Sequence, residues 1–264
     1  MYQRLVPRRP PTAIMPAFYA GRPVAGKAFD VTPALAGRGD TGSTRKQRLA
    51  ALADEVRLLV ADDLRATPDP VGLRVDVGLP DDVPLLASND LDSLAYPLVS
   101  RLGGATGRRF VSVWVSKRHA RTSSVAVLPA HPVPDPGGSQ RFQVRTTASI
   151  VTTTFRQQIR NQITAARPLP YGGIALQLSF VVGPRRAWPN LWKVTIDSLR
   201  PLLGHPAGGR ITDLGLHCVV DPAVGHDIGI AVRANPARFR ASVPKTADAT
   251  RHRSGELYAR APQG

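Results

Sequence analysis

Residues 173–204 read GIALQLSFVVGPRRAWPNLWKVTIDSLRPLLG. This stretch predicts a buried strand, a short turn that carries two arginines, and a helix that opens near Asn190. Residues 72–103, GLRVDVGLPDDVPLLASNDLDSLAYPLVSRLG, repeat the same order of strand, turn and helix. When Ser93 is aligned with Asn190, the apolar positions of the two helices coincide. A repeat of a whole strand–turn–helix unit indicates two similar halves.

The spacing of apolar residues predicts the element order αβαββ in each half. In the first half, residues 45–128, the predicted elements are a helix at 45–66, a strand at 73–79, a helix from Asp92 or Ser93 to about 102, and strands at 110–116 and 124–128. In the second half, residues 150–233, they are a helix at 150–166, a strand at 174–182, a helix at 190–203, and strands at 210–220 and 227–233. Residues 129–149 are the predicted linker. We expect an α+β fold in which the two units share a core as a pseudo-dimer.

The net charge of +16 is concentrated at the two ends of the chain. Residues 1–50 carry a net charge of +7 and residues 233–264 carry +5. Both ends are rich in Pro or Gly, so we expect a basic extended arm at 1–44 and a basic tail at 234–264. Basic segments beside a nearly neutral globule are typical of proteins that bind nucleic acid. Solubility, an acidic protein partner or a genome-wide arginine bias are the alternative explanations.

Cysteine content and hydropathy exclude several classes of protein. Cys218 is the single cysteine, which excludes an internal disulfide and a cysteine-based zinc site and fits a reducing cytoplasm. No apolar run approaches the roughly 18 residues that a membrane-spanning helix needs. The first residues, MYQRLVPRRPP, contain no apolar core of a secretory signal. We therefore expect a cytoplasmic protein with no membrane partner.

Asp90 and Asp92 form the sharpest chemical feature of the sequence. Two carboxylates two residues apart, just before a predicted helix, are suitable ligands for Mg²⁺, which takes carboxylate, water and phosphate oxygens. The alternative is that Asp92 caps the helix while Asp90 is solvated, because both charges are favourable at a helix N-terminus. His217 is expected to be a core or sheet-edge residue and not a metal ligand.

The order of these motifs resembles the RusA-type Holliday junction resolvases. The resemblance rests on a strand followed by D-x-D-N-x-x-K at the start of a helix, and it covers about 45–128 and 150–233. It implies small subunits that pair, clustered aspartates that bind Mg²⁺, and cleavage of branched DNA. In the first copy, Asp90 and Asp92 match the two aspartates of this motif. In the second copy, Asn190 and Lys193 match its Asn and its Lys.

Each copy departs from the motif of that family. The first copy has Ser93 and Tyr96 where Asn and Lys are expected, and the second has Ala187 and Pro189 where both aspartates are expected. A third aspartate, expected just before the next strand, is absent from 106–108 and 208–210; Asp76, Asp81 or Asp82 could replace it in space. Lys193 could face Asp90 and Asp92 across the pseudo-dimer, so these three residues are the predicted catalytic set. Asp90 and Asp92 are also the predicted metal ligands.

Basic and aromatic residues near these motifs are candidates for contact with DNA, because arginine binds phosphate and aromatic rings stack on bases. The candidates are Arg108, Arg109, Lys117, Arg118, Arg121, Arg185, Arg186 and Trp188. Residues 117–119 are predicted to form a basic turn. The alternative is that the charged residues are solvated surface groups and that the tryptophans pack in the core.

Two functions follow from the sequence. The first is a DNA-binding protein of the resolvase type that prefers branched or distorted duplexes, with a Mg²⁺-dependent endonuclease activity at the surviving acidic site. The second is a subunit that does not cut DNA and serves as a DNA-binding or scaffold component of a larger DNA-processing or defence complex. A protein partner belongs to the second function, and a homo-oligomer is open in both.

Overall fold

The computed structural model describes residues 15–35, 42–86 and 90–237. Asn89, residues 1–14 of the predicted arm and residues 238–264 of the predicted tail lie outside this part of the chain. The described part is a mixed α+β fold, as the sequence predicts, built on one large sheet. No helix in the described ranges is both long enough and apolar enough to cross a membrane.

The main sheet has eight strands, and a separate pair of short strands lies beside it. In chain order the strands are β1 (Phe18–Tyr19), β2 (Lys27–Phe29), β3 (Val71–Leu79), β4 (Phe110–His119), β5 (Ser123–Pro129), β6 (Pro132–Val133), β7 (Gln140–Thr146), β8 (Ile174–Val182), β9 (Ile211–Val220) and β10 (Ile228–Pro236). The order across the main sheet is β2-β5-β3-β4-β9-β8-β10-β7, and β1 pairs with β6.

The strand order is the same on the two sides of the central β4–β9 pair. Strands β4 and β9 run antiparallel, with Trp114 opposite Gly215. On one side β3 is parallel to β4 and β5 is antiparallel to β3. On the other side β8 is parallel to β9 and β10 is antiparallel to β8. The two predicted βαββ segments thus contribute matching three-stranded sets that meet in the centre of one sheet.

The helices pack on one face of this sheet. They are α1 (Thr32–Leu35), α2 (Gly42–Leu59), α3 (Ala61–Ala66), α4 (Leu91–Thr106), α5 (Thr153–Gln162), α6 (Trp192–Ser198) and α7 (Arg200–Leu203), with 3-10 turns at Trp188–Leu191 and Pro222–Val224. Alternate strand residues such as Val75, Val115 and Leu214 form one buried cluster with helix residues such as Leu98 and Ile196. The period-two pattern of the strands predicts this apolar face.

The opposite face of the sheet is partly covered by residues from the predicted arm. The rings of Phe18 and Tyr19 lie 5.6 and 5.9 Å from that of His217, and the ring of Trp114 lies 5.3 Å from it. Gly21 lies directly over the Trp114 indole, where a Cβ atom would be 2.5 Å from the ring. Residues 15–35 are therefore packed and not a free extended arm, because two aromatic rings bury their apolar area against the sheet.

The predicted basic turn at 117–119 is wrong, since these residues complete strand β4. The ladder with β3 continues through Val77 opposite Lys117 and Leu79 opposite His119. The linker prediction for 129–149 is also wrong in part, because β6 and β7 lie within it. Apolar periodicity does not predict strand β7, because it lies at the sheet edge and the polar residues Arg141, Gln143 and Arg145 are exposed along one side of it.

The predicted helix at 190–203 is interrupted. A 3-10 turn at Trp188–Leu191 leads into α6, and α7 starts separately at Arg200. Pro201 explains this break, because proline lacks the N–H that a continuous helix needs at that point. The predicted helix at 150–166 is shorter in the structure, where α5 covers Thr153–Gln162.

Candidate functional site

The starts of α4 and α6 lie next to each other although they come from opposite halves of the chain. Between them is a cavity of about 460 Å³, the interhelix cavity, lined by Asp92, Ser93, Tyr96, Pro189, Asn190, Trp192 and Lys193. Each of these residues lies within 72–103 or 173–204, the two stretches that repeat each other in the sequence. The repeat therefore brings its two helix starts to one place.

Two polar contacts connect these helix starts. The Lys193 Nζ lies 3.9 Å from Asp90 Oδ2. The Tyr96 hydroxyl donates a hydrogen bond of 2.8 Å to Asn190 Oδ1. Tyr96 and Lys193 occupy equivalent positions in the aligned helices, and each reaches across to the start of the other helix. The contact between Lys193 and Asp90 is the one that the sequence predicts.

Asp90 occupies the N-cap position of α4 but its side chain does not cap the helix. Its backbone carbonyl accepts the N–H groups of Ser93 and Leu94. Its carboxylate lies against Gly208, where a Cβ atom would be 2.6 Å from both Cγ and Oδ1. The alternative of a solvated Asp90 therefore does not hold, because the carboxylate is only 34% exposed and packs on the backbone of the other half.

Asp92 is buried in the first turn of α4, with 3% of its surface exposed. Burial raises the pKa of its carboxyl to about 6; the Lys193 charge opposes this rise and the Asp90 charge adds to it. A carboxyl that titrates near neutral pH is suited to exchange protons. The alternative that Asp92 caps the helix does not hold, because Asp90 occupies the N-cap position and Asp92 lies in the first turn.

Lys117 belongs to this site and not to an exposed turn. It follows Val113 and Val115 on the apolar face of β4 and is 3% exposed. Its ammonium donates a 2.8 Å hydrogen bond to the carbonyl of Gly209. Burial lowers the pKa of Lys117 to about 8, and the nearby Asp90 charge works against that decrease. The predicted contact of Lys117 with a DNA backbone is therefore incompatible with its buried position.

The glycines before β9 contact Asp90 and Lys117, and the sequence does not predict this arrangement. Gly208 leaves room for the Asp90 carboxylate, and Gly209 supplies the carbonyl that binds Lys117. A Gly-Gly pair directly before a strand is a signal of close approach to the backbone. We call Asp90, Asp92, Lys117, Lys193 and the Gly208–Gly209 backbone the composite site.

The residues of the composite site do not fit a Mg²⁺ ion held by the protein alone. Within the described ranges, no three His, Cys, Asp or Glu side chains lie close enough to hold one metal ion. Asp76 lies on the other face of the sheet, where Arg74 and Ser116 bind its carboxylate. Asp81 is fully exposed and lies 3.7 Å from His119. Neither supplies the third carboxylate that the resemblance implies.

The position of the missing third aspartate is taken by structural arginines. Arg108 donates to the Leu64 carbonyl and to Asp69 Oδ1. Arg210, its equivalent in the second copy, is 6% exposed and donates to the Leu203 carbonyl at 2.7 Å and to other carbonyls of the 169–172 loop. Each arginine thus connects a loop to the end of a helix through hydrogen bonds. Arg108 is consequently occupied within the protein and is not a free DNA contact.

The other predicted DNA-binding residues fall into two groups. Arg109, Arg185 and Arg186 lie together, since Arg109 donates to the Pro184 carbonyl at 2.8 Å and Arg186 to that of His226 at 2.9 Å. Arg185 and Arg186 line an open cavity of about 500 Å³ that shares Asn190 with the interhelix cavity. This arginine group is therefore next to the composite site.

Arg118 is exposed at the end of β4, and Arg121 is exposed in the hairpin that follows. They lie at the opposite end of β4 from Arg109, which directly precedes the strand.

Trp188 is not an exposed stacking platform. Its indole is 2% exposed and lies 4.9 Å from that of Trp192, at an interplanar angle of 69°. The ring of Phe180 lies 6.1 Å away on the same cluster. The prediction that Trp188 stacks on bases is therefore wrong for this structure, and both tryptophans pack in the core.

No known protein-family model matches this chain, and no curated protein is significantly similar to it. The resemblance to RusA-type resolvases stays a prediction from the motifs.

Proposed function

We propose that this chain is a DNA-binding protein of the Holliday junction resolvase type, in which two fused RusA-like halves build one composite site. The observation that carries the proposal is the contact of Lys193 from the second half with Asp90 of the first, at 3.9 Å. The lysine and the aspartate each occupy a motif position of the resemblance, and they come from different copies. The Tyr96–Asn190 hydrogen bond is the matching contact in the opposite direction.

The sheet topology supports the pseudo-dimer part of this proposal. The strand orders β5-β3-β4 and β10-β8-β9 are equivalent, and the central pair is antiparallel, as a two-fold axis between β4 and β9 requires. DNA-binding proteins with two-fold symmetry commonly bind DNA that has matching symmetry. A four-way junction and a palindromic duplex both offer that symmetry, so the preference for a junction rests on the resemblance.

The charge distribution supports DNA as the partner. Arg109, Arg185 and Arg186 lie beside the interhelix cavity, and the chain carries a net charge of +16. Contacts to phosphate set the affinity of such proteins and make it fall with salt. We therefore infer that a DNA backbone follows the arginine group toward Lys193, whose side chain is 61% exposed.

Binding of a labelled four-way junction and of a linear duplex with the same sequence tests this proposal. Titrations at several salt concentrations should give tighter binding to the junction and a steep loss of affinity with salt. Equal affinity for both DNAs with a shallow salt dependence would count against it. Mg²⁺-dependent cleavage remains a prediction of the resemblance, and the same junction incubated with Mg²⁺ or Mn²⁺ tests it against the Asp90→Asn/Asp92→Asn variant.

A second candidate is a non-cutting subunit of a larger DNA-processing or defence complex. The observation that favours it is that Arg108 and Arg210, at the position of the third aspartate, form hydrogen bonds that hold neighbouring loops in place. Under this proposal the Asp90→Asn/Asp92→Asn variant keeps its function in cells, and a protein partner co-purifies in stoichiometric amount. Loss of function in that variant, with DNA binding retained, would contradict it.

A further inference from the structure

Lys117 is a charged residue on the apolar face of the sheet. It is opposite Val77 in the β3–β4 ladder, and the preceding residues on its face are Val113 and Val115. An ammonium group in such a place is costly unless other groups compensate its charge. Two groups that compensate this charge are the Gly209 carbonyl at 2.8 Å and the carboxylate of Asp90, which lines the same small cavity.

The carboxylates of the composite site are balanced by cations of the chain itself. Lys193 lies 3.9 Å from Asp90 and 3.6 Å from Asp197, and it shares the interhelix cavity with Asp92. On the inner side, Lys117 and Arg45 line the small cavity with Asp90. Three carboxylates therefore lie next to three cationic side chains.

The space between these groups is too small for a hydrated metal ion on the inner side. The cavity shared by Asp90 and Lys117 has a volume of about 10 Å³, which is room for roughly one water molecule. Mg²⁺ usually keeps several of its waters when it binds to protein. Asp92 lines the other cavity, the one that contains Lys193. Asp90 and Asp92 thus line two different cavities, and Lys193, which shares a cavity with Asp92, also contacts Asp90.

We propose that the ammonium groups of Lys117 and Lys193 take the place of a divalent cation at Asp90 and Asp92. Lys117 holds Asp90 from inside the fold, while the exposed Lys193 is the cation that a phosphate oxygen meets. The first part concerns the protein alone. The second part rests on the proposed DNA-binding function and implies that the site binds a DNA phosphate in the absence of divalent metal.

Thermal unfolding in the presence of Mn²⁺ or Mg²⁺ tests the first part, because a ligand that binds the folded state raises the unfolding temperature. We expect no Asp90-dependent rise for the wild type. Lys117→Ala, which removes the charge and also the side chain that fills the inner cavity, should gain a rise that is lost again when Asp90→Asn is added. Lys193→Met, at an exposed position beside the larger cavity, should gain one too and serves if Lys117→Ala does not fold. Lys46→Met, at an exposed site on α2, is the matched control and should behave like the wild type.

Two results would overturn the proposal. One is a Mn²⁺-dependent rise for the wild type that Asp90→Asn abolishes. The other is an unfolding temperature that neither Mn²⁺ nor Mg²⁺ raises, both in Lys193→Met and in every Lys117 variant that folds.

Junction binding in EDTA and in Mg²⁺ tests the second part. We expect the wild type to bind at least as tightly in EDTA as in Mg²⁺, because Mg²⁺ competes for DNA phosphates, and Lys193→Met to bind at least several-fold more weakly. A requirement for Mg²⁺ would refute this part. A failure to prefer the junction over linear duplex would refute the proposed function instead, and the unfolding result would still stand.

Discussion

Replacement of Asp92 by asparagine should stabilise the protein at neutral pH. The pKa of this carboxyl rises from 3.8 to about 6 on folding, and burial is the main cause. One pKa unit corresponds to about 1.4 kcal/mol, so the ionised carboxylate costs the folded state about 3 kcal/mol at pH 7. Asparagine has nearly the same shape and no charge. A gain of this size corresponds to a rise in Tm of roughly 6–12 °C for a chain of this length.

The pH dependence follows from the sign of this shift. The folded-state pKa of an acid is raised here, so the folded form binds the proton more tightly between about pH 4 and pH 6. The wild type therefore gains stability relative to Asp92→Asn as the pH falls through that window, and the advantage of Asp92→Asn nearly disappears close to pH 4. Urea unfolding of both proteins at about pH 7, 5.5 and 4 measures this difference in the free energy of unfolding above, within and at the lower end of that window.

Asp197→Asn is the matched control, because Asp197 is a partly exposed carboxylate that also pairs with Lys193. Exposed ion pairs contribute at most about 1 kcal/mol, so this variant should change little. The reasoning would be refuted by an Asp92→Asn variant that is less stable than wild type at pH 7. An advantage that persists unchanged at pH 4 would refute it as well.

Three further predictions concern residues around the site and the opposite sheet face. Gly208→Ala should cost about 1–3 kcal/mol and displace Asp90, because its Cβ atom would overlap the carboxylate, whereas Gly104→Ala, with open space around it, should be neutral or stabilising in thermal unfolding. Arg210→Met should lower the free energy of urea unfolding by about 3 kcal/mol, since it leaves buried carbonyls without their charged donor. Burial lowers the pKa of His217 to about 3, so the folded state resists its protonation. Below pH 6.5 this group should lower the free energy of unfolding by about 1.4 kcal/mol per pH unit, opposite in sign to the contribution of Asp92. Urea unfolding at about pH 7 and 5 should therefore show the wild type losing stability relative to the His217→Gln variant as the pH falls.

Much of the sheet could be predicted from apolar periodicity. The strand Ile174–Val182 matches its predicted bounds, and Val71–Leu79 begins only two residues earlier than predicted. The end of β4 was missed because a basic run reads as a solvated turn, yet Lys117 continues the strand. The strand Gln140–Thr146 was missed because an edge strand needs only a few inward apolar side chains.

The composite site shows where sequence reasoning stops. The aligned repeat is enough to predict that Lys193 faces Asp90, because both occupy motif positions in copies that pair. The inward orientation of Lys117 depends on strand register across β3 and β4, and the role of Gly208 depends on a loop from the other half. The prediction for Trp188 is wrong because an aromatic residue beside arginines is found both in protein cores and at DNA-binding surfaces, and the sequence pattern does not separate the two.

The most direct measurement is the affinity for a labelled four-way junction and for the matching linear duplex, compared between the wild type, Lys193→Met and the Arg185→Ala/Arg186→Ala variant. Lys46→Met is the control for loss of one exposed positive charge. We predict that the wild type prefers the junction, that Lys193→Met and the double arginine variant lose most of that preference, and that Lys46→Met keeps it. A preference that survives in both site variants, or no preference in the wild type, would contradict a DNA-binding site built jointly by the two halves.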